Sequence, residues 1–149
     1  MPTIREQLIG TWRLVSYETL GADGSVVRPM GRDATGFIMY VPDGFMSANL
    51  MVPGRPPFTG GGASTASQAE LAAASAGYFG YAGRFEVDEA ARAVRHRIEV
   101  SLVPNLVGTT QFRHTRFEGA RLILRGDPAP AAGRASAPVI TWERVSTGG

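Results

Sequence analysis

The chain contains no cysteine. That excludes a disulfide framework, a thiolate metal centre and a cysteine nucleophile. Lysine is missing too: all fifteen basic residues are arginines, set against thirteen acids for a net charge of +2. Beside so much alanine and glycine, this usage reads as a compositional bias rather than a phosphate-binding surface. Arg92, Arg95 and Arg97 cluster, but Glu86, Asp88 and Glu99 lie among them, so the group reads as a solvated strand face. No nucleic-acid partner is expected. No apolar run approaches the ~20 residues of a membrane span, and the first seven residues lack the apolar core of a secretion signal. The expectation is a cytoplasmic chain with no membrane partner. Catalytic signatures are equally scarce: there is no Gly-x-Ser-x-Gly elbow, no phosphate loop and no His-Glu-x-x-His.

What is present is strand. With 149 residues and 44% apolar content, the chain suits one domain over 1–149 with a sizeable core. Alternation of apolar and polar residues predicts strands at 11–18, 25–28, 36–41, 44–51, 80–88, 93–102, 109–118, 121–125 and 139–145. Val41-Pro42-Asp43-Gly44 joins the clearest hairpin. Residues 51–66 break the pattern with three prolines and three consecutive glycines. Ser67-Gln68-Ala69-Glu70 then reads as a capping box for a short alanine-rich helix ending near Gly77. The stretch 126–138, with three prolines, reads as an exposed loop. Eight or nine short antiparallel strands at regular spacing predict an all-β closed meander, with one short helix near the barrel mouth. The segment 53–77 is expected to cover that mouth as a lid.

Closure gives the two ends of the chain a meaning. Gly10-Thr11-Trp12 opens the first strand and Trp142-Glu143-Arg144 ends the last. In a closed sheet these strands are neighbours, and the Trp12 indole can stack on the Arg144 guanidinium as a structural closure.

Alternation also assigns faces. On the strand 93–102, Val94, His96, Ile98 and Val100 point inward, away from Arg95, Arg97 and Glu99. On 109–118 the inward set is Gln111, Arg113, Thr115 and Phe117. Tyr81, Phe85 and Val87, then Ile38 and Tyr40, then Met46, Ala48 and Leu50, then Ile140 and Trp142 follow by the same rule. On the first strand Trp12, Leu14 and Ser16 share a face. The candidate ligand-binding residues are therefore Tyr40, Met46, Tyr81, Phe85, His96, Gln111, Arg113 and Trp142. Such a lining, apolar with few polar groups, suits a small apolar or aromatic ligand with one polar head. His96 and His114 fall on opposite faces, and no carboxylate alternates inward beside His96, so no metal or other cofactor is expected. If the site is catalytic, His96 moves the proton, Tyr81 or Tyr40 orients the substrate, and Arg113 stabilises a developing enolate or binds a carboxylate. His96 serves equally as a core histidine bonded to a tyrosine.

The order of motifs from Leu8 to Arg144 resembles the bacterial and fungal lipocalin-like domain family. The matching pieces are Gly10-Thr11-Trp12, the hairpin from Tyr40 to Ala48, Tyr78 to Phe85, Ser101 to Asn105, Gly108 to Arg113, and Trp142-Glu143-Arg144. The resemblance implies a calycin-type β-barrel with an internal cavity. It does not choose a reaction, since related barrels include carriers and cyclases. The expected function is binding of a small apolar or aromatic molecule in that cavity. The alternative is a cofactor-independent cyclase or isomerase acting on a polyketide-like or terpenoid substrate in secondary metabolism.

Overall fold

A computed structural model describes residues 1–131 and 134–146. Among these residues there are ten strands: β1 (Gly10–Gly21), β2 (Val26–Val27), β3 (Thr35–Tyr40), β4 (Phe45–Met51), β5 (Tyr78–Asp88), β6 (Ala93–Ser101), β7 (Thr110–Glu118), β8 (Arg121–Arg125), β9 (Ala129–Ala131) and β10 (Arg134–Arg144). Eight of them close an antiparallel ring in the order β1-β3-β4-β5-β6-β7-β8-β10, with β10 returning to β1. The short β2 and β9 lie against β1 and β10. Closure leaves the ring without a free edge, which removes the unpaired amides that invite strand addition.

Two α-helices accompany the ring among the described residues. Helix α1 (Ile4–Leu8), which the alternation pattern does not reveal, is started by a capping box between Thr3 and Glu6. The Glu89 carboxylate, on the β5–β6 turn, accepts from the Ile4 and Arg5 amides and holds the start of α1 against the barrel. Helix α2 (Gln68–Ala76) carries the Ser67–Glu70 capping box and lies between β4 and β5.

Those connections define two ends. At one, Trp12 pairs with Arg144 in the β1–β10 ladder, and the guanidinium carbon lies 4.1 Å from the indole centroid. Arg144 donates to the carbonyls of Gln7 and Ile9, while Trp12 Nε1 donates to Leu8 O at 2.9 Å. Three carbonyls at the end of α1, left without helical partners, are thereby satisfied. Gly10 makes this possible: its φ is +131°, and a Cβ there would press on the Arg144 guanidinium. This end is packed shut by Leu8, Trp12, Tyr40, Met46, Phe85, Val94 and Leu122.

Two strand irregularities change which residues face inward. The β1–β10 register shifts between Leu14 and Ser16, so after Leu14 the inward position falls on Tyr17, opposite Ile140, rather than on Ser16. A second bulge pairs Ala82 with Val100 but Gly83 with Ile98, skipping Glu99. Gly83 sits so close to the β6 backbone that a Cβ would collide with Arg97 O. Past this bulge the alternation of β6 reverses. Val100, expected inside, is 61% exposed.

Two other expectations need correction. The stretch 126–138 is not simply an exposed loop: it holds β9 and the first part of β10, where Ser136 to Pro138 pair with Gly21 to Thr19. The pairing partners lie more than a hundred residues away, so no local pattern announces them. The segment 53–77 stands at the open end by connectivity but does not line the cavity in this structure. It is folded onto itself, with Arg55 Nη1 donating to Ala74 O and the Thr59 amide to the Glu70 carboxylate. Helix α2 buries no residue, and none of 53–77 lines the barrel cavity.

Candidate functional site

The half of the barrel nearer α2 is not filled. A cavity of ≈ 110 Å³ remains there. Its apolar wall comes from inward positions of β3 and β4 (Ile38, Ala48, Leu50), from Phe79 on β5 and from Leu124 on β8. Pro138, Ile140 and Trp142 on β10 complete it, and the polar groups are Tyr17, Tyr81, His96 and Arg113. For scale, an apolar cavity of about 150 Å³ takes up benzene. The space here is of single-ring size.

His96 is 1% exposed and both ring nitrogens are engaged: Nε2 lies 2.7 Å from the Tyr40 hydroxyl, Nδ1 2.8 Å from that of Tyr81. Burial, and then the nearby Arg113 charge, lower its pKa to about 3. The ring is therefore neutral near pH 7, with one N–H and one acceptor nitrogen. Burial also pushes the Tyr81 hydroxyl up to about 12 and raises that of Tyr40 well above its ordinary value. Both phenols keep their protons.

Hydrogen-bond accounting then sets the direction of the chain. The Tyr40 hydroxyl is fully enclosed and touches only His96 Nε2 among the described residues. Were Nε2 the donor, the Tyr40 proton would be buried without an acceptor, at a cost of about 1–3 kcal/mol. Tyr40 therefore donates to Nε2, Nδ1–H donates to the Tyr81 oxygen, and the Tyr81 proton is left over. Tyr81 lines the cavity; Tyr40 does not.

Arg113 is half-buried at the cavity wall. Nη1 donates to Phe112 O at 2.9 Å and Nη2 to Gln111 Oε1 at 3.2 Å. Both acceptors are neutral, and no salt bridge to it occurs among the described residues. Its charge reaches the whole polar cluster, lowering the proton affinity of Tyr17, Tyr40, Tyr81 and His96 against or along with burial. Trp142 is 1% exposed, and its Nε1–H has no hydrogen-bond partner among the described residues.

Of the residues singled out from the sequence, Tyr81, His96, Arg113 and Trp142 stand together on the cavity wall. Gln111 sits behind them, bonded to Arg113. Tyr40, Met46 and Phe85 are buried in the closed half and do not reach the cavity, although Tyr40 reaches it indirectly through His96. Tyr17, Phe79, Leu124 and Pro138 were not among the candidates. Tyr17 is hidden by the β1 bulge, and Pro138 by its place in an apparent loop. Leu124 is legible, since Leu122 and Leu124 alternate on β8. No group of three or more metal-ligating side chains occurs among the described residues.

A closed eight-stranded antiparallel ring, shut at one end and hollow toward the other, defines the calycin type of barrel. Residues 9–145 match the lipocalin-like domain family, and the chain belongs to that family. Among characterised proteins it is similar to the 4'-hydroxy-3'-methoxypropiophenone carrier protein ppsC of Aspergillus oryzae. The two are 36% identical over 107 residues, covering 67% of this chain and 96% of the relative. No solved structure matches the chain. No helix among the described residues is long and apolar enough to cross a membrane.

Proposed function

We propose that this protein is a carrier that binds a small single-ring aromatic molecule inside the barrel, without transforming it. The observation that supports this best is the cavity itself: ≈ 110 Å³, walled by Leu50, Phe79, Leu124 and Trp142, at the unfilled end of an otherwise solid barrel. The similarity to a protein named as a carrier of a methoxylated hydroxyphenyl ketone points to a ligand with one aromatic ring. The tyrosine–histidine chain supports binding over the cyclase reading. A general acid or base serves best when its pKa is near the working pH, and His96 is held near 3 with both nitrogens occupied. His96 then acts through Tyr81 as a positioning residue.

The test is a titration with 4'-hydroxy-3'-methoxypropiophenone, followed through the fluorescence of Trp142 in a Trp12→Phe background, where it is the remaining tryptophan. Saturable binding at one site per chain is expected, with the ketone recovered unchanged after prolonged incubation. A flat titration contradicts the binding reading, and conversion of the ketone contradicts the carrier reading.

A further inference from the structure

The polar groups facing the cavity are unequal in kind. Tyr81 has a proton to give, because the direction of the Tyr40–His96–Tyr81 chain leaves it unused. Trp142 lines the cavity with its ring, while its N–H is buried in the wall with no acceptor among the described residues. Arg113 has five N–H bonds, two of them accounted for by neutral acceptors. No carboxylate lines the cavity among the described residues. Donors therefore gather there without a matching set of acceptors, and one of them carries a full positive charge. An empty site of this kind leaves a buried donor unsatisfied, which folded proteins seldom tolerate without reason.

We infer that the ligand is a single-ring aromatic bearing an anionic oxygen head group, a carboxylate or a phenolate, held by Arg113 and Tyr81 while its ring lies against Leu50, Phe79 and Leu124. This inference rests on the reading of the cavity as a binding site and adds the chemistry of the head group to it. The anion gains a charge-assisted bond from a guanidinium that has no acid of its own. A neutral alcohol gains no charge-assisted bond, and an ammonium head group meets like charge and no carboxylate among the described residues.

The experiment compares benzoate, 4-nitrophenolate, acetophenone, toluene and benzylamine by calorimetric titration at pH 8, using the full chain. Benzoate or 4-nitrophenolate, whichever head group fits, is expected to bind at least about 30-fold tighter than toluene, with acetophenone between them and benzylamine weakest. Arg113→Leu is expected to lower the affinity for the better anion by about 30-fold or more and to leave toluene within threefold. Tyr81→Phe is expected to weaken the anion and acetophenone by about tenfold while sparing toluene. Circular dichroism of both variants establishes that the barrel is intact, and toluene binding serves as the internal check. Toluene or benzylamine binding as tightly as the anions overturns the head-group inference but leaves an apolar binding site standing. Failure of all five compounds to bind overturns the binding reading and this inference with it.

Discussion

Between pH 6.5 and 4.5 the barrel is expected to lose about 2–3 kcal/mol more stability than a His96→Gln variant. In the folded barrel His96 has a pKa of about 3, first because it is buried and second because Arg113 is near. In the unfolded chain a histidine titrates near 6.5. Above that value both states are neutral and the group contributes nothing to the pH dependence. Below it the unfolded chain takes up a proton that the folded barrel refuses. Stability then falls by about 1.4 kcal/mol per pH unit, until the folded-state pKa is reached. Glutamine retains a donor and an acceptor for the two tyrosines but does not titrate, so the difference between the two proteins isolates this one residue. His114, exposed and bonded to Asp127, is common to both and cancels. Urea midpoints at pH 7.5, 6.5, 5.5 and 4.5 provide the measurement. Parallel curves for the two proteins would show that His96 titrates normally in the fold, and the neutral hydrogen-bonded chain would be wrong.

Filling the cavity should abolish binding without unfolding the protein. Ala48 is 3% exposed, sits on the cavity wall and lies in register with Ile38 on one side and Tyr81 on the other. A phenylalanine at this position places a phenyl ring in a space of ≈ 110 Å³, leaving no room for a second ring. Overpacking costs about 1–3 kcal/mol, but burial of the new ring offsets part of that. Ala48→Phe is therefore expected to weaken ligand binding by at least about 100-fold while the denaturation midpoint moves by no more than about 2 kcal/mol. Ala73→Phe is the control. Ala73 lies in a separate groove between α2 and the 55–59 segment, and substitution there should leave affinity within twofold. Retained affinity in Ala48→Phe would move the binding site out of the barrel.

The sequence was most legible where strand alternation ran undisturbed. On β3, β4 and β7 a period of two carries the inward set without error, because each strand lies in one ladder register from end to end. It failed where a single bulged residue reversed the phase. Tyr17 and Val100 exchanged faces for that reason, and neither bulge has a glycine or proline on the bulged strand itself to announce it; the signal near β6 is Gly83, on the neighbouring strand. The pairing of 136–138 with β1 was hidden because those partners are distant in sequence, and three prolines dominate the local pattern that pairs 134–136 with β9. Helix α1 had a sequence signal in Thr3 and Glu6, but at one turn it is too short for periodicity to show. It is held by Glu89 and Arg144, both far along the chain, and by the neighbouring Trp12.

The site was partly legible for a different reason. Alternation can say that Tyr81, His96, Arg113 and Trp142 face inward, but not that the closed half of the barrel is solid. Tyr40, Met46 and Phe85 also face inward and fill that half, so their side chains belong to the core. Nor can alternation reveal the direction of a hydrogen-bond chain. That requires knowing that Tyr40 is enclosed while Tyr81 borders empty space.

The central claim, that the barrel interior holds a single aromatic ring, is tested most directly by intermolecular NOEs between a bound aromatic ligand and methyl-labelled protein. The account predicts contacts from the ligand ring protons to the methyls of Ala48, Leu50 and Leu124, which line the cavity from β4 and β8. Contacts instead to Ala69, Ala73 or Ala74, beside the groove on α2, would contradict it and place the ligand on the outside of the barrel.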